Sequence, residues 1–118
     1  MAIDVLDESG NVITIKLRGT IKKAEYDKLQ ADTEAGIKRV GKIKVLVILE
    51  DFQGWERGVD WSDISFQMEH GDEIEKMAFV GDEKWKDLIF AFAGKPFRST
   101  AIEYFDSSRL DEARAWLG

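Results

Sequence analysis

The sequence predicts an α/β fold of element order ββαβαβαβα, a mainly parallel sheet of about five strands whose N-terminal strand runs antiparallel. Three observations carry this. Val45 to Leu49 is an unbroken apolar run rich in β-branched residues. A strand wetted on one face would alternate, so this one is buried on both, as in the interior of a parallel sheet. Short runs of this kind alternate with segments whose apolar residues recur at helical spacing, the pattern of successive βα units. The first two runs are separated only by Asp7-Glu8-Ser9-Gly10-Asn11, a turn by composition, which makes an N-terminal hairpin.

The elements follow in order. Ile3 to Leu6 is a short strand. Val12 to Arg18 alternates, with Ile13, Ile15 and Leu17 on one face and Thr14, Lys16 and Arg18 on the other. Gly19 breaks this strand, and Thr20 is placed to cap the next helix through its hydroxyl. That helix spans Ile21 to Val40, with Tyr26, Leu29, Thr33, Ile37 and Val40 near one stripe. Lys38, Arg39, Lys42 and Lys44 gather at its end. They complement the helix dipole, a role that needs no partner; a peripheral contact with anionic lipid is the other reading.

After the central strand, Trp61, Ile64 and Met68 mark a second helix ending near Gly71, with Phe66 off its stripe. Asp72 to Glu75 reads as a solvated acidic turn and Lys76 to Val80 as a strand. Gly81-Asp82 forms a turn and an N-cap before an amphipathic third helix carrying Trp85, Leu88, Ile89 and Phe92. Gly94 and Pro96 end that helix. Thr100 to Phe105 is the last strand. Ser108 with Asp111 reads as a capping box before Leu110, Ala113, Trp116 and Leu117.

The 118 residues fit one domain, residues 1–118, large enough for one real core. Hydrophobic residues at 44 % and charged residues at 34 % place the chain among ordinary globular proteins rather than disordered ones. A net charge of −6 argues against nucleic acid as a partner, because phosphate-backbone binding needs a basic surface. The absence of cysteine excludes disulfides, thiolate metal sites and cysteine nucleophiles. With no signal-peptide pattern and no apolar run near the ~20 residues of a membrane span, the expected location is cytoplasmic.

Catalytic chemistry finds little support. His70 is the single histidine, so no multi-histidine metal site exists. Neither glycine-rich nucleotide fingerprint nor a Gly-x-Ser-x-Gly elbow occurs. The carboxylates between Glu50 and Glu75 lack the fixed spacing of a calcium or magnesium site, and Asp60 and Asp63 suit a helix start without any ligand. The expectation is no enzyme, no metal and no cofactor.

The segment from Phe52 to Trp61 is where function is expected. It follows the central strand, and ligands of open α/β sheets bind outside the carboxyl ends of the strands. It reads as a loop with Gly54 and Gly58 as hinges and with Phe52, Trp55 and Trp61 as large apolar groups. Either these aromatics cap the core, or they form a lid over an apolar pocket whose opposing wall is Trp85, Phe90 and Phe97.

The order of elements, with the acidic pair Glu50-Asp51 closing the central strand, resembles the STAS domain of SpoIIAA-type anti-sigma factor antagonists. It is more similar to the SpoIIAA-like family of small stand-alone bacterial proteins, through Asp82 and Trp85 before the third helix and through Glu112-Ala113-Arg114-Ala115-Trp116-Leu117 at the end. That family is similar in fold to CRAL-TRIO lipid-transfer domains. The resemblance implies ligand or lipid binding with membrane association, or, as the alternative, a protein-interaction module of the antagonist type; a second copy of the chain is a further candidate partner. True antagonists carry a phosphorylated serine at the helix after the central strand, in an Asp-Ser-Ser-Gly-like motif. That motif is missing here. Ser62 is the nearest hydroxyl, and a plain N-cap is its simpler role.

Overall fold

Residues 3–59, 61, 73–93 and 100–118 are described in a computed structural model of the chain. The strands are β1 (Ile3–Ser9), β2 (Val12–Ile21), β3 (Ile43–Trp55), β4 (Ile74–Gly81) and β5 (Ala101–Asp106). The helices are α1 (Lys23–Val40), α2 (Lys86–Ala93) and α3 (Leu110–Leu117), the last two preceded by short 3-10 turns at Glu83–Trp85 and Ser107–Arg109. The predicted helix from Trp61 to Gly71 lies outside the described residues, apart from Trp61.

One five-stranded sheet has the order β1-β2-β3-β4-β5. β1 is antiparallel to β2, and every other pairing is parallel. The antiparallel first strand is therefore at an edge and the Val45–Leu49 run is in the middle strand, as the sequence predicts. The run is unbroken because it serves two cores. Val45, Val47 and Leu49 join Ile13, Ile15 and Phe79 against Ile37 of α1 and Ile89 of α2. Leu46 points the other way and joins Ala78 and Val80 beneath Ala113 and Leu117 of α3.

Several local expectations are corrected. β1 continues through Asp7 to Ser9, which pairs with Val12, so the turn shrinks to Gly10-Asn11. Gly10 makes this possible with φ 61°. Thr20 caps no helix: β2 runs on through Gly19 and Thr20, which pair with Phe52 and Gly54. The N-cap of α1 is Lys22, and no side chain of its own bonds there. Val40 ends the α1 stripe half-exposed at 47 %, and Leu88 of α2 is 52 % exposed. Trp85 belongs to the 3-10 turn rather than to α2. Asp82 does cap that turn, accepting from Lys84 N. The Ser108–Asp111 capping box does not form, because Asp106 accepts from both Ser108 N and Ser108 Oγ. That bond holds the Asp106 carboxyl below the usual carboxylate range.

The largest correction concerns the segment after Leu49. Glu50 and Asp51 do not close the strand; β3 continues to Trp55 alongside β2. Asp51 is the surplus residue of a bulge opposite Arg18 and Gly19, with φ 51°. Glu50 is engaged across the strands, 2.8 Å from Lys16 Nζ and 3.6 Å from Arg18 Nη2. The hydrogen bond from Lys16, reinforced by the charges of Lys16 and Arg18, pulls its pKa down.

Candidate functional site

The β3 extension builds the site. Past the bulge, Phe52 turns into the core and is 4 % exposed. Gly54 follows on the same face with φ 99°, and a Cβ there would sit 3.6 Å from the Trp85 ring. That is ordinary contact, so it is the positive φ rather than space that favours glycine there, and the edge of the Trp85 ring rests against this turn of the strand. Trp85 meets Phe52 edge-on at 4.7 Å and Trp55 at 6.2 Å. Trp55 also touches Phe52 at 5.3 Å and Phe92 of α2 at 5.0 Å.

Beyond β3 the chain is tied down at Glu56. Its N–H donates to Ile21 O at 2.8 Å. Its Oε1 accepts from Lys23 N at 3.0 Å, supplying the cap that α1 lacks. Its carbonyl accepts from the Trp61 indole at 2.9 Å. Trp61 thereby rests on Tyr26 of α1 and Phe92 of α2, each at 5.7 Å, and Tyr26 and Phe92 meet at 5.2 Å. Edge-to-face pairs of this kind add to simple area burial.

The predicted ligand-binding residues therefore divide. Phe52, Trp55, Trp61 and Trp85 come together, as one continuous aromatic wall. Phe90 faces elsewhere and packs edge-on against Tyr104 at 6.3 Å. Phe97 and Ser62 lie outside the described residues. Tyr26 and Phe92 belong to the wall although the sequence assigns them to helix stripes; position on a stripe tells which face is apolar, not whether that face is filled.

Behind the wall is a cavity of about 110 Å³ between the sheet and the two helices α1 and α2. Ile15, Leu17 and Ile21 of β2 and Val45, Val47 and Trp55 of β3 form its floor. Tyr26, Leu29, Gln30 and Thr33 of α1 line one side, and Ile89, Phe92 and Ala93 of α2 another. Of the predicted site residues that are described, only Trp55 lines it. Among the described residues no lysine, arginine or histidine does so. Thr33 spends its hydroxyl proton on Leu29 O at 2.8 Å. Gln30 was not singled out by the sequence, since one polar residue beside a helical stripe reads as solvated.

Two of the four cations near the end of α1 have neighbours of their own. Lys38 pairs with Glu34 at 3.3 Å, whereas Lys44 lies on β3 with its Nζ against Gly118 at the end of α3. Its neighbour across the strands, Lys76, donates to Trp116 O at 2.8 Å and sits 5.0 Å from the Trp116 ring centroid. Among the described residues no group of three or more His, Cys, Asp or Glu side chains is placed to hold a metal, and no helix is long and apolar enough to cross a membrane.

Among the described residues the chain forms a small α/β unit with a mixed sheet, α1 and α2 over one face and α3 over the other. The chain belongs to the SpoIIAA-like family, whose family model matches residues 12–118. Two solved structures share the fold. One is an uncharacterised protein of the DUF3478 family with a SpoIIAA-like fold from Shewanella loihica PV-4, with TM-score 0.75 and 18 % identity over 99 % of this chain and 94 % of that one. The other is the anti-sigma factor antagonist SpoIIAA in its unphosphorylated form, with TM-score 0.62 and 12 % identity over 96 % of this chain and 98 % of that one. No curated protein matches the chain.

Proposed function

We propose that the protein is a non-enzymatic module that binds a small apolar molecule, or the end of a lipid chain, between the sheet and helices α1 and α2. The observation behind this is the apolar cavity of about 110 Å³ at the back of the aromatic wall. Close packing is the rule in protein interiors, so a partly open apolar pocket of this size is a candidate receptor. An apolar cavity of about 150 Å³ stays dry and accepts benzene, which sets the scale at roughly one ring or a short acyl segment. Trp55 is both a lining residue and a member of the wall, so an occupant would alter its surroundings directly.

Tryptophan fluorescence tests the reading. The wild type and Trp55→Phe would be titrated with toluene, 1-octanol and phosphatidylglycerol vesicles. A saturable spectral change with toluene or 1-octanol that is lost in Trp55→Phe is expected. If no probe gives a saturable response from any tryptophan, the binding reading fails. The second reading, a protein-interaction module, then stands; it is favoured by the fold shared with an anti-sigma factor antagonist, although fold alone does not carry function across.

A further inference from the structure

Gln30 lies on α1 among the cavity's apolar lining, one turn before Thr33. Its Nε2 is buried and has no hydrogen-bond partner among the described residues. A buried amide nitrogen without an acceptor is costly and is seldom left so in a folded protein. Solvent does not reach this nitrogen, and the apolar surroundings provide few atoms that could accept from it. Rotation about the last torsion of a glutamine is soft, so the donor can turn towards whatever occupies the cavity. Thr33 cannot supply a second donor, because its hydroxyl proton is already given to Leu29 O.

Charge narrows the ligand further. Among the described residues the lining carries no cationic side chain. A carboxylate held against this lining would give up water with no cation among the described residues to pair with, which is unfavourable. A neutral carbonyl oxygen has no such difficulty and meets the need of the Gln30 amide.

Resting on the cavity reading above, we infer that Gln30 is a polarity-selecting residue and that the ligand is a neutral carbonyl compound, such as a ketone, ester or amide, with an apolar body about the size of one ring. Its oxygen accepts from Gln30 Nε2, and its apolar part lies against Val45, Val47 and Ile89. Acids in their ionised form are excluded.

Three probes of nearly the same shape separate the possibilities: acetophenone, cumene and benzoate, titrated at pH 7.5 into wild type and Gln30→Leu and followed by NMR. In the wild type, the Gln30 side-chain amide signals should move with acetophenone and not with cumene. In Gln30→Leu the affinity for acetophenone relative to cumene should fall about tenfold, the worth of one desolvated hydrogen bond in such a cycle. Benzoate should not saturate either protein at concentrations where acetophenone does. The variant should melt no lower than its parent, because it removes an unsatisfied group. If it does not fold, the wild-type amide signals decide alone. Should cumene and acetophenone both bind with a ratio unchanged by Gln30→Leu, or with the amide signals unmoved, the inference falls and the cavity reading survives. Benzoate binding as tightly as acetophenone would overturn the selection for neutral ligands. If neither acetophenone nor cumene binds, both readings fall together.

Discussion

Glu56 caps a helix to which it does not belong: its Oε1 accepts from Lys23 N at 3.0 Å, across 33 residues of sequence. The cap links the end of β3 to the start of α1, and the backbone of the same residue holds Ile21 and Trp61. The segment the sequence suggests as a hinged lid is thus found folded down and fastened. Glu56→Ala should cost about 1 kcal/mol, or roughly 4 °C in melting temperature. Glu56→Gln keeps an acceptor and should lose about half as much. Equal losses in the two variants, measured by thermal and urea unfolding, would show that the side-chain oxygen does not cap.

Gly81 is confined by space rather than by backbone conformation. A Cβ there would approach Leu49 Cβ to 2.9 Å and Tyr104 Oη to 3.0 Å. The first contact is with a side-chain root that cannot swing away. Gly81→Ala should therefore destabilise by about 1–3 kcal/mol through overpacking. The urea midpoint should fall with little change in slope.

Tyr104 donates to Asp82 O at 2.6 Å, and its pKa is pushed up to about 12, by burial first and then by the charges of Asp82 and Asp106. The folded chain therefore holds this proton more tightly than the unfolded chain. The stabilisation is complete below the unfolded value of about 10 and is lost as pH rises through 12. Tyr104 should give a late step in an absorbance titration at alkaline pH. Tyr104→Phe should remove that step and flatten the fall of stability above pH 10. A single early step accounting for both tyrosines of the chain would contradict the assignment.

Ala93 is buried at the cavity wall. Ala93→Leu should fill part of the void and weaken toluene or 1-octanol binding by more than tenfold. Stability should hold or rise by up to about 1–2 kcal/mol. Parental affinity in a folded variant would place binding elsewhere.

How far the sequence could be read depended on whether its periodicity kept phase. Val45, Val47 and Leu49 advance by two and Leu46 faces a second core, so that strand was legible from its apolar continuity. The next core residue is Phe52, three positions on, because Asp51 is spent in the bulge. The alternation changes phase there, and acidic residues at the break look like the end of a strand. On β2, Gly19 reads as a strand breaker and makes Thr20 look like a helix cap, whereas Thr20 is still paired with Gly54. In the site, the aromatic residues announced themselves by size. Phe90 lies off the main stripe of its helix, but its partner Tyr104 was not legible, because that residue comes from a distant strand.

The strand order has a consequence for how the chain finds its structure. Each strand lies beside the one that precedes it in sequence, so no partner has to be awaited from a distant part of the polypeptide. As the chain emerges from the ribosome, the hairpin can receive β3 before β5 has been made, and each later strand extends an edge that already exists. Close succession of pairing partners favours rapid folding. In pulse-labelled exchange, amides of β2 and β3 should gain protection ahead of those of β5; simultaneous protection would mean that the sheet closes in one step.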